Sequence, residues 1–235
     1  MKIGVLQTGK VPEELEDKHG DYPDMFERLL ADPDFTFETF SVVDGHFPEG
    51  PNTCDAWLIT GSKFGAYEDH DWIPPLEDHL RQAYAAGIPI VGICFGHQIL
   101  AQALGGKVEK FEGGWSVGVE TYAIDGIGDD LQVVAWHQDQ VTELPVVNGP
   151  PVAVVGSTPF CRYAALAYGD RAWSIQPHPE FDGEFMADLI ETRGKVLPEE
   201  IANKGMAGRD RPVSSARIAD HIKAFLKHRL ENTSS

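Results

Sequence analysis

The stretch 89-PIVGICFGHQILAQALGG-106 decides the fold. It opens inside the segment 88-IPIVGI-93, a short run without a polar residue. That is the pattern of a central parallel strand covered on both faces. Helical spacing follows at once, with Ile99, Leu100, Ala103 and Leu104 on the inner side and Gly105-Gly106 as the stop. Cys94 sits at the corner, with Gly92 and Gly96 two residues away on either side. Glycines there let strand and helix approach closely. The corner puts a cysteine at the strand end where open α/β sheets hold ligands. The N-terminus of the following helix favours negative charge at that point.

Outward from this corner, the first half alternates strand and helix. Residues 2–7 read as a strand, and the acidic segment 12–21 as a surface loop or short helix. Met25, Phe26, Leu29 and Leu30 have helical spacing, while Phe35 and Phe37 alternate with polar residues as in a strand. The strand 56-AWLIT-60 runs into the glycine turn 61-GSKFG-65. A helix is predicted over 73–86, with Pro74 and Pro75 in its first turn and Gly87 as its C-cap.

The second half changes character. Segments 117–124, 131–136, 152–157, 161–168 and 172–176 are strand-like and closely spaced, which implies added antiparallel strands. Helical character returns at 181–192, and residues 194–212 read as a surface excursion rich in Lys, Gly, Pro and Glu. A last helix is predicted from Ser214 or Ser215, with Ile218, Ile222, Phe225, Leu226 and Leu230 as its apolar stripe and a frayed ENTSS tail. The expected fold is α/β: an open, mostly parallel central sheet with flanking helices and an added antiparallel region. Residues 1–192 form the expected catalytic domain, and residues 193–235 a C-terminal surface segment and helix packed on it.

Composition narrows the function. The chain has 235 residues and a formal charge of -18, which disfavours nucleic acid and anionic membrane as partners. The N-terminus reads as a strand rather than a signal peptide, and no long apolar run spans a membrane, so the expected location is the cytoplasm. Cys54, Cys94 and Cys161 lack CxxC spacing, and neither a zinc constellation nor a phosphate loop is present, so no cofactor is expected. Cys54 and Cys161, the latter opening a strand, read as packing residues or partly exposed thiols.

A nucleophilic cysteine needs a base. In 173-WSIQPHPEF-181, His178 sits between Pro177 and Pro179, which restrict the backbone around it. Glu180 is two residues on, so an extended segment projects both side chains to one side. Glu180 would hold the tautomer of His178 while His178 takes the thiol proton. Taken singly, the pieces also read as a buried strand-end cysteine and a surface turn. Acyl transfer further needs an oxyanion site. The N–H of Phe95 is the first candidate, and 59-ITGSKFG-65 offers a second, although that segment also reads as a simple tight connection.

These residues together resemble the class I glutamine amidotransferase domain family. The resemblance rests on GICFGHQ at 92–98, which carries Cys94 in a G-x-C-x-G-x-Q pattern, on HPE at 178–180, and on TGSK at 60–63 in the place of a glycine-rich oxyanion strand. It covers roughly residues 1–192 and implies a flavodoxin-like arrangement. It further implies that Cys94 attacks a γ-carboxamide, that His178 relays protons and that Glu180 orients it. Phe95 and Ser62 would supply oxyanion N–H groups, with Ser62 standing where many members have glycine. Gly61, Gln98, Trp115 and Ser116 would border the substrate, and His137 in 136-WHQDQV-141 would have a substrate or structural loop role. Trp115 and Trp136 also read as core or rim packing.

The resemblance leaves three functions open. One is a glutaminase that releases ammonia from glutamine through a cysteine thioester, with a possible synthase or acceptor subunit as partner. Another is a stand-alone γ-glutamyl peptidase acting on small γ-glutamyl compounds; GICFGHQ, GGKV, GW and HQD look closest to that group and to relatives of the GMP synthase glutaminase. The last is a non-catalytic binding or regulatory subunit.

Overall fold

The computed structural model describes residues 1–233, with side chains described through residue 228. Leu230 and the ENTSS tail of the predicted stripe and terminus therefore lie outside the described side chains. The first half is β1 (Lys2–Leu6), α1 (Glu13–His19), α2 (Tyr22–Leu29), β2 (Thr36–Phe40), β3 (Ala56–Ile59), α3 (Ile73–Ala85), β4 (Ile90–Ile93) and α4 (Phe95–Ala103). The second half supplies β5 (Lys107–Lys110), β6 (Ser116–Ile124), β7 (Gly128–His137), β8 (Asp139–Glu143), β9 (Ala153–Ser157), β10 (Ala165–Tyr168) and β11 (Ala172–Ile175). Three helices close the chain: α5 (Gly183–Arg193), α6 (Glu199–Ala207) and α7 (Ser215–Thr233).

The main sheet has nine strands in the order β2-β1-β3-β4-β11-β10-β9-β6-β7, and β5 pairs with β8 in a small second sheet. Pairing is parallel from β2 through β4 to β11, then antiparallel from β11 to β7. The parallel half and the added antiparallel half match the expected architecture. β3 and β4 are buried at every position, as strands covered on both faces must be. On one face, Trp57 and Ile59 pack with Leu76, Leu80, Ile99 and Leu100 from α3 and α4. On the other, Leu58, Val91 and Ile93 pack with Phe26 and with Ile218, Ile222 and Leu226 of α7. No helix among the described residues is long and apolar enough to cross a membrane.

Several local expectations change. Cys161 does not open a strand: its N–H donates to Thr158 Oγ1 at 2.8 Å and its carbonyl accepts from Thr158 N, closing a turn before β10 begins at Ala165. Helix α3 ends one residue earlier, and Gly87 follows the Ala86 cap with φ of 72°. Helix α7 starts at Ser215, so Ser214 holds the expected N-cap position, its carbonyl accepting from Ile218 N at 3.4 Å, while its hydroxyl accepts from Gln132 N at 3.0 Å and ties α7 to β7.

The predicted surface excursion contains α6, which packs on β6. Gly118 has φ of 108°, and a Cβ there would sit 3.1 Å from Gly205 Cα. Two glycines at the contact let helix and strand backbones touch, where a larger side chain would hold them apart.

Candidate active site

The Cys94 corner is built by strain and close packing. Cys94 has φ of 53° and is the only non-glycine residue with positive φ among the described residues. Such a conformation costs on the order of 1–3 kcal/mol and persists only where its surroundings impose it. They do so here. A Cβ on Gly92 would lie 2.5 Å from Gly96 O, and one on Gly96 would lie 2.4 Å from Ile59 O. Glycines at both places let the chain double back from β4 into α4. Cys94 N donates to Ile175 O at 2.9 Å and Gly96 N to Thr60 O at 3.2 Å, pinning the corner between β11 and β3.

The base candidate comes from the loop after β11. His178 N donates to Val134 O at 2.8 Å, so the Pro177–Pro179 segment is bridged to β7. Its ring stacks on Phe181 with centroids 4.1 Å apart and planes within 2°. Nδ1 pairs with Glu180 Oε1 at 2.7 Å, both side chains being almost fully buried. Nδ1 is thereby committed, and Nε2, buried and without another partner, is the nitrogen left for proton transfer. Burial disfavours the imidazolium, but the Cys94 sulfur and the Glu180 carboxylate outweigh it and raise His178 to about 10.

The glycine turn after β3 completes the junction. A Cβ on Gly61 would lie 2.9 Å from His178 Cε1 and 3.8 Å from Cys94 Cβ. The Ser62 hydroxyl donates to Thr8 O at 2.7 Å, and Thr8 Oγ1 donates to Gly61 O at 3.1 Å. Its hydroxyl thus fastens the turn. Phe95 opens α4, where an α-helix leaves its first N–H groups without intrahelical acceptors.

Cys94, His178 and Ser62 line a cavity of about 640 Å³, together with Gln98, Trp115 and His137. Gln98 Nε2 donates to Asp139 O at 2.8 Å and to Gln176 Oε1 at 3.1 Å. His137 Nδ1 donates to Asp139 O at 3.3 Å, and burial, followed by the neighbouring His178, lowers its ring to about 3, so it is neutral. Trp115 meets Trp136 edge to face at 6.4 Å. Ser116 behaves differently: it is buried in β6 opposite His137, behind the wall that Trp115 forms.

Sequence reasoning missed three contributors. Gln176 is fully buried and its Nε2 lies 3.7 Å from Cys94 Sγ. Its spacing of two from His178 was the available signal, the same spacing that linked His178 to Glu180. Asp139, in β8, supplies the carbonyl that anchors Gln98. The far wall comes from Leu189, Thr192, Arg193, Lys195 and Val196, at the end of α5 and just beyond it, where nothing in the sequence marked a site.

Residues 53–192 match the family described as "Glutamine amidotransferase class-I", and the chain belongs to that family. It is similar to "Gamma-glutamyl peptidase 4" of Arabidopsis thaliana, with 29% identity over 226 residues, covering 89% of this chain and 88% of that protein. It is 35% identical over 145 residues to "GMP synthase [glutamine-hydrolyzing]" of Burkholderia cenocepacia (strain HI2424), covering 53% of this chain and 24% of that one. Among solved structures, a glutamine amidotransferase from Thermotoga maritima shares the fold with a TM-score of 0.73 and 20% identity, covering 98% of each chain. The family and the buried cysteine site make this protein a cysteine-nucleophile hydrolase or amidotransferase.

Proposed function

We propose that the protein is a free-standing hydrolase of γ-glutamyl amide bonds in which the leaving amine bears a carboxylate, as an amino acid or short peptide does. Cys94 Sγ attacks the γ-carbonyl, and Phe95 and Ser62 N–H groups hold the oxyanion. His178, already holding the proton as the imidazolium partner of the Cys94 thiolate, delivers it to the departing amine, leaving a γ-glutamyl thioester. Water, deprotonated by His178, then cleaves the thioester to glutamate and free thiol. Glu180 holds Nδ1, so that the Nε2 proton of His178 is the one that moves. Gln98, Trp115 and His137 line the pocket, Gly61 lies against His178, and the Ser116 backbone borders the substrate. The catalytic domain is residues 1–192, and the described residues that follow pack on it and add Arg193, Lys195 and Val196 to the cavity wall. The three free thiols fit a cytoplasmic protein.

One observation carries the substrate reading. Among the described residues, Lys63, Lys110 and Lys195 make no ion pair, whereas every other lysine does. All three line this cavity, with Arg193, on a chain of net charge -18. Two carboxylates share the cavity: Glu68, bonded to His70 at 2.8 Å, and Asp139, which accepts from the Tyr67 hydroxyl at 3.2 Å and lies near Lys110. Three lysines and an arginine against two carboxylates leave the cavity cationic within an acidic protein, which suits a ligand with more carboxylates than glutamine's single one.

The test is product release. The purified protein is incubated with γ-glutamyl dipeptides and, separately, with glutamine, and free amine and ammonia are assayed against C94A. Dipeptide cleavage exceeding ammonia release supports the proposal; the reverse overturns it. The reverse would favour a glutaminase that passes ammonia to a synthase subunit, the reading suggested by the segment similar to GMP synthase.

A further inference from the structure

We infer that Gln176 is a positioning residue that donates a hydrogen bond to the Cys94 sulfur, and that Gln98 sets the orientation of its carboxamide. The orientation follows from a chain of donors that begins at a backbone carbonyl. Asp139 O can only accept, so the Gln98 atom 2.8 Å from it is the nitrogen. That same nitrogen lies 3.1 Å from the Gln176 carboxamide, whose facing atom must then be the oxygen. The Gln176 nitrogen is left pointing away from Gln98, and Cys94 Sγ is 3.7 Å from it. A flip of either amide would set oxygen against oxygen or nitrogen against nitrogen.

The arrangement is rigid. Gln176 is fully buried, and its backbone N–H is held by Ala164 O at 2.8 Å. Gln176, two residues before His178, reaches the sulfur from the same segment that carries the ring to the Cys94 cavity. A hydrogen bond is stronger to a charged acceptor than to a neutral one, so an N–H donor aimed at sulfur stabilises negative charge there more than it stabilises the thiol. The pair also limits what Gln98 offers a ligand. With both of its N–H groups used inside the protein, Gln98 can meet substrate only as an acceptor, through Oε1.

The experiment reads the sulfur directly and needs no γ-glutamyl substrate, so its outcome is separate from that of the proposed activity. Gln176→Met keeps side-chain length and removes the donor, whereas Gln176→Glu turns the donor into an acceptor. Gln98→Met removes the group that orients Gln176 and, lying at the cavity wall, serves as the second variant should Gln176 changes prevent folding. Alkylation of Cys94 by iodoacetamide is followed from pH 5 to 10 with peptide mapping to separate it from Cys54 and Cys161, and folding is checked by thermal melts. The expected result is a profile displaced to higher pH by about one unit in Gln176→Met, with roughly ten-fold slower alkylation near neutrality, a larger displacement in Gln176→Glu, and a smaller one in Gln98→Met. A folded Gln176→Met protein with the wild-type profile overturns the inference. If only Gln98→Met folds, a wild-type profile in that variant does the same.

Discussion

Gly61 packs directly against His178: a Cβ on the glycine would fall 2.9 Å from the imidazole Cε1. The ring has no room to retreat, because Phe181 stacks on it at 4.1 Å. The glycine turn after β3 therefore sets the place of the His178 ring as well as that of Ser62, the proposed oxyanion donor on this turn.

Gly61→Ala should displace the imidazole from Cys94 while leaving the fold in place. The expected loss is roughly ten- to hundred-fold in kcat/KM, because small misplacements of a reacting group are costly. Overpacking of this kind destabilises by about 1–3 kcal/mol. Steady-state kinetics with a thermal melt would separate the two effects. An Ala variant with native activity would show that the ring position is not limiting.

The ionisation of His178 should appear in stability. Its folded value is raised to about 10 from an ordinary value near 6.5. A raised value means that the folded protein holds the proton more tightly than the unfolded chain does. The contribution is therefore fully present below pH 6.5 and is lost as pH climbs through 10. Urea melts of wild type and His178→Asn at pH 6, 8 and 10 should show a stability difference that shrinks across that series. A difference that grows with pH would mean that the ring is neutral in the folded protein.

Lys195 and Arg193 should select the leaving group. Each is a solvent-reachable charge, so removal of either weakens binding by roughly two- to five-fold, and the effect fades with salt. In Arg193→Ala/Lys195→Ala, KM for γ-glutamyl-glutamate should rise while KM for glutamine stays near wild type. An equal rise for both substrates would place these cations at the glutamyl end of the cavity.

Gly118→Ala tests the docking of α6. The backbone has φ of 108° and the new methyl would meet Gly205 Cα at 3.1 Å. The expected cost is about 1–3 kcal/mol from conformational strain. A melting temperature unchanged from wild type would mean that α6 moves aside at little cost.

The sequence carried the site more fully than it carried the outer fold. The Cys94 corner was legible because burial and glycine spacing are local signals: 88–93 is uniformly apolar, and Gly92 and Gly96 are needed for the crossing. The two prolines around His178 and the spacing to Glu180 were local as well. Gln176 was overlooked because its importance depends on Gln98 and Asp139, 78 and 37 residues away along the chain. Helix α6 was hidden because Gly205, Gly208 just after it and its charged residues read as loop, and its reason for being helical is a contact with Gly118 on a distant strand.

The most direct test of the central claim is the covalent state of Cys94 during turnover. The protein would be mixed with a γ-glutamyl dipeptide, quenched in acid within milliseconds to seconds, and measured by intact mass and peptide mapping. The account predicts a glutamyl adduct on the peptide containing Cys94, decaying as glutamate appears and absent from Cys94→Ala. Turnover by Cys94→Ala, or an adduct confined to Cys54 or Cys161, would contradict it.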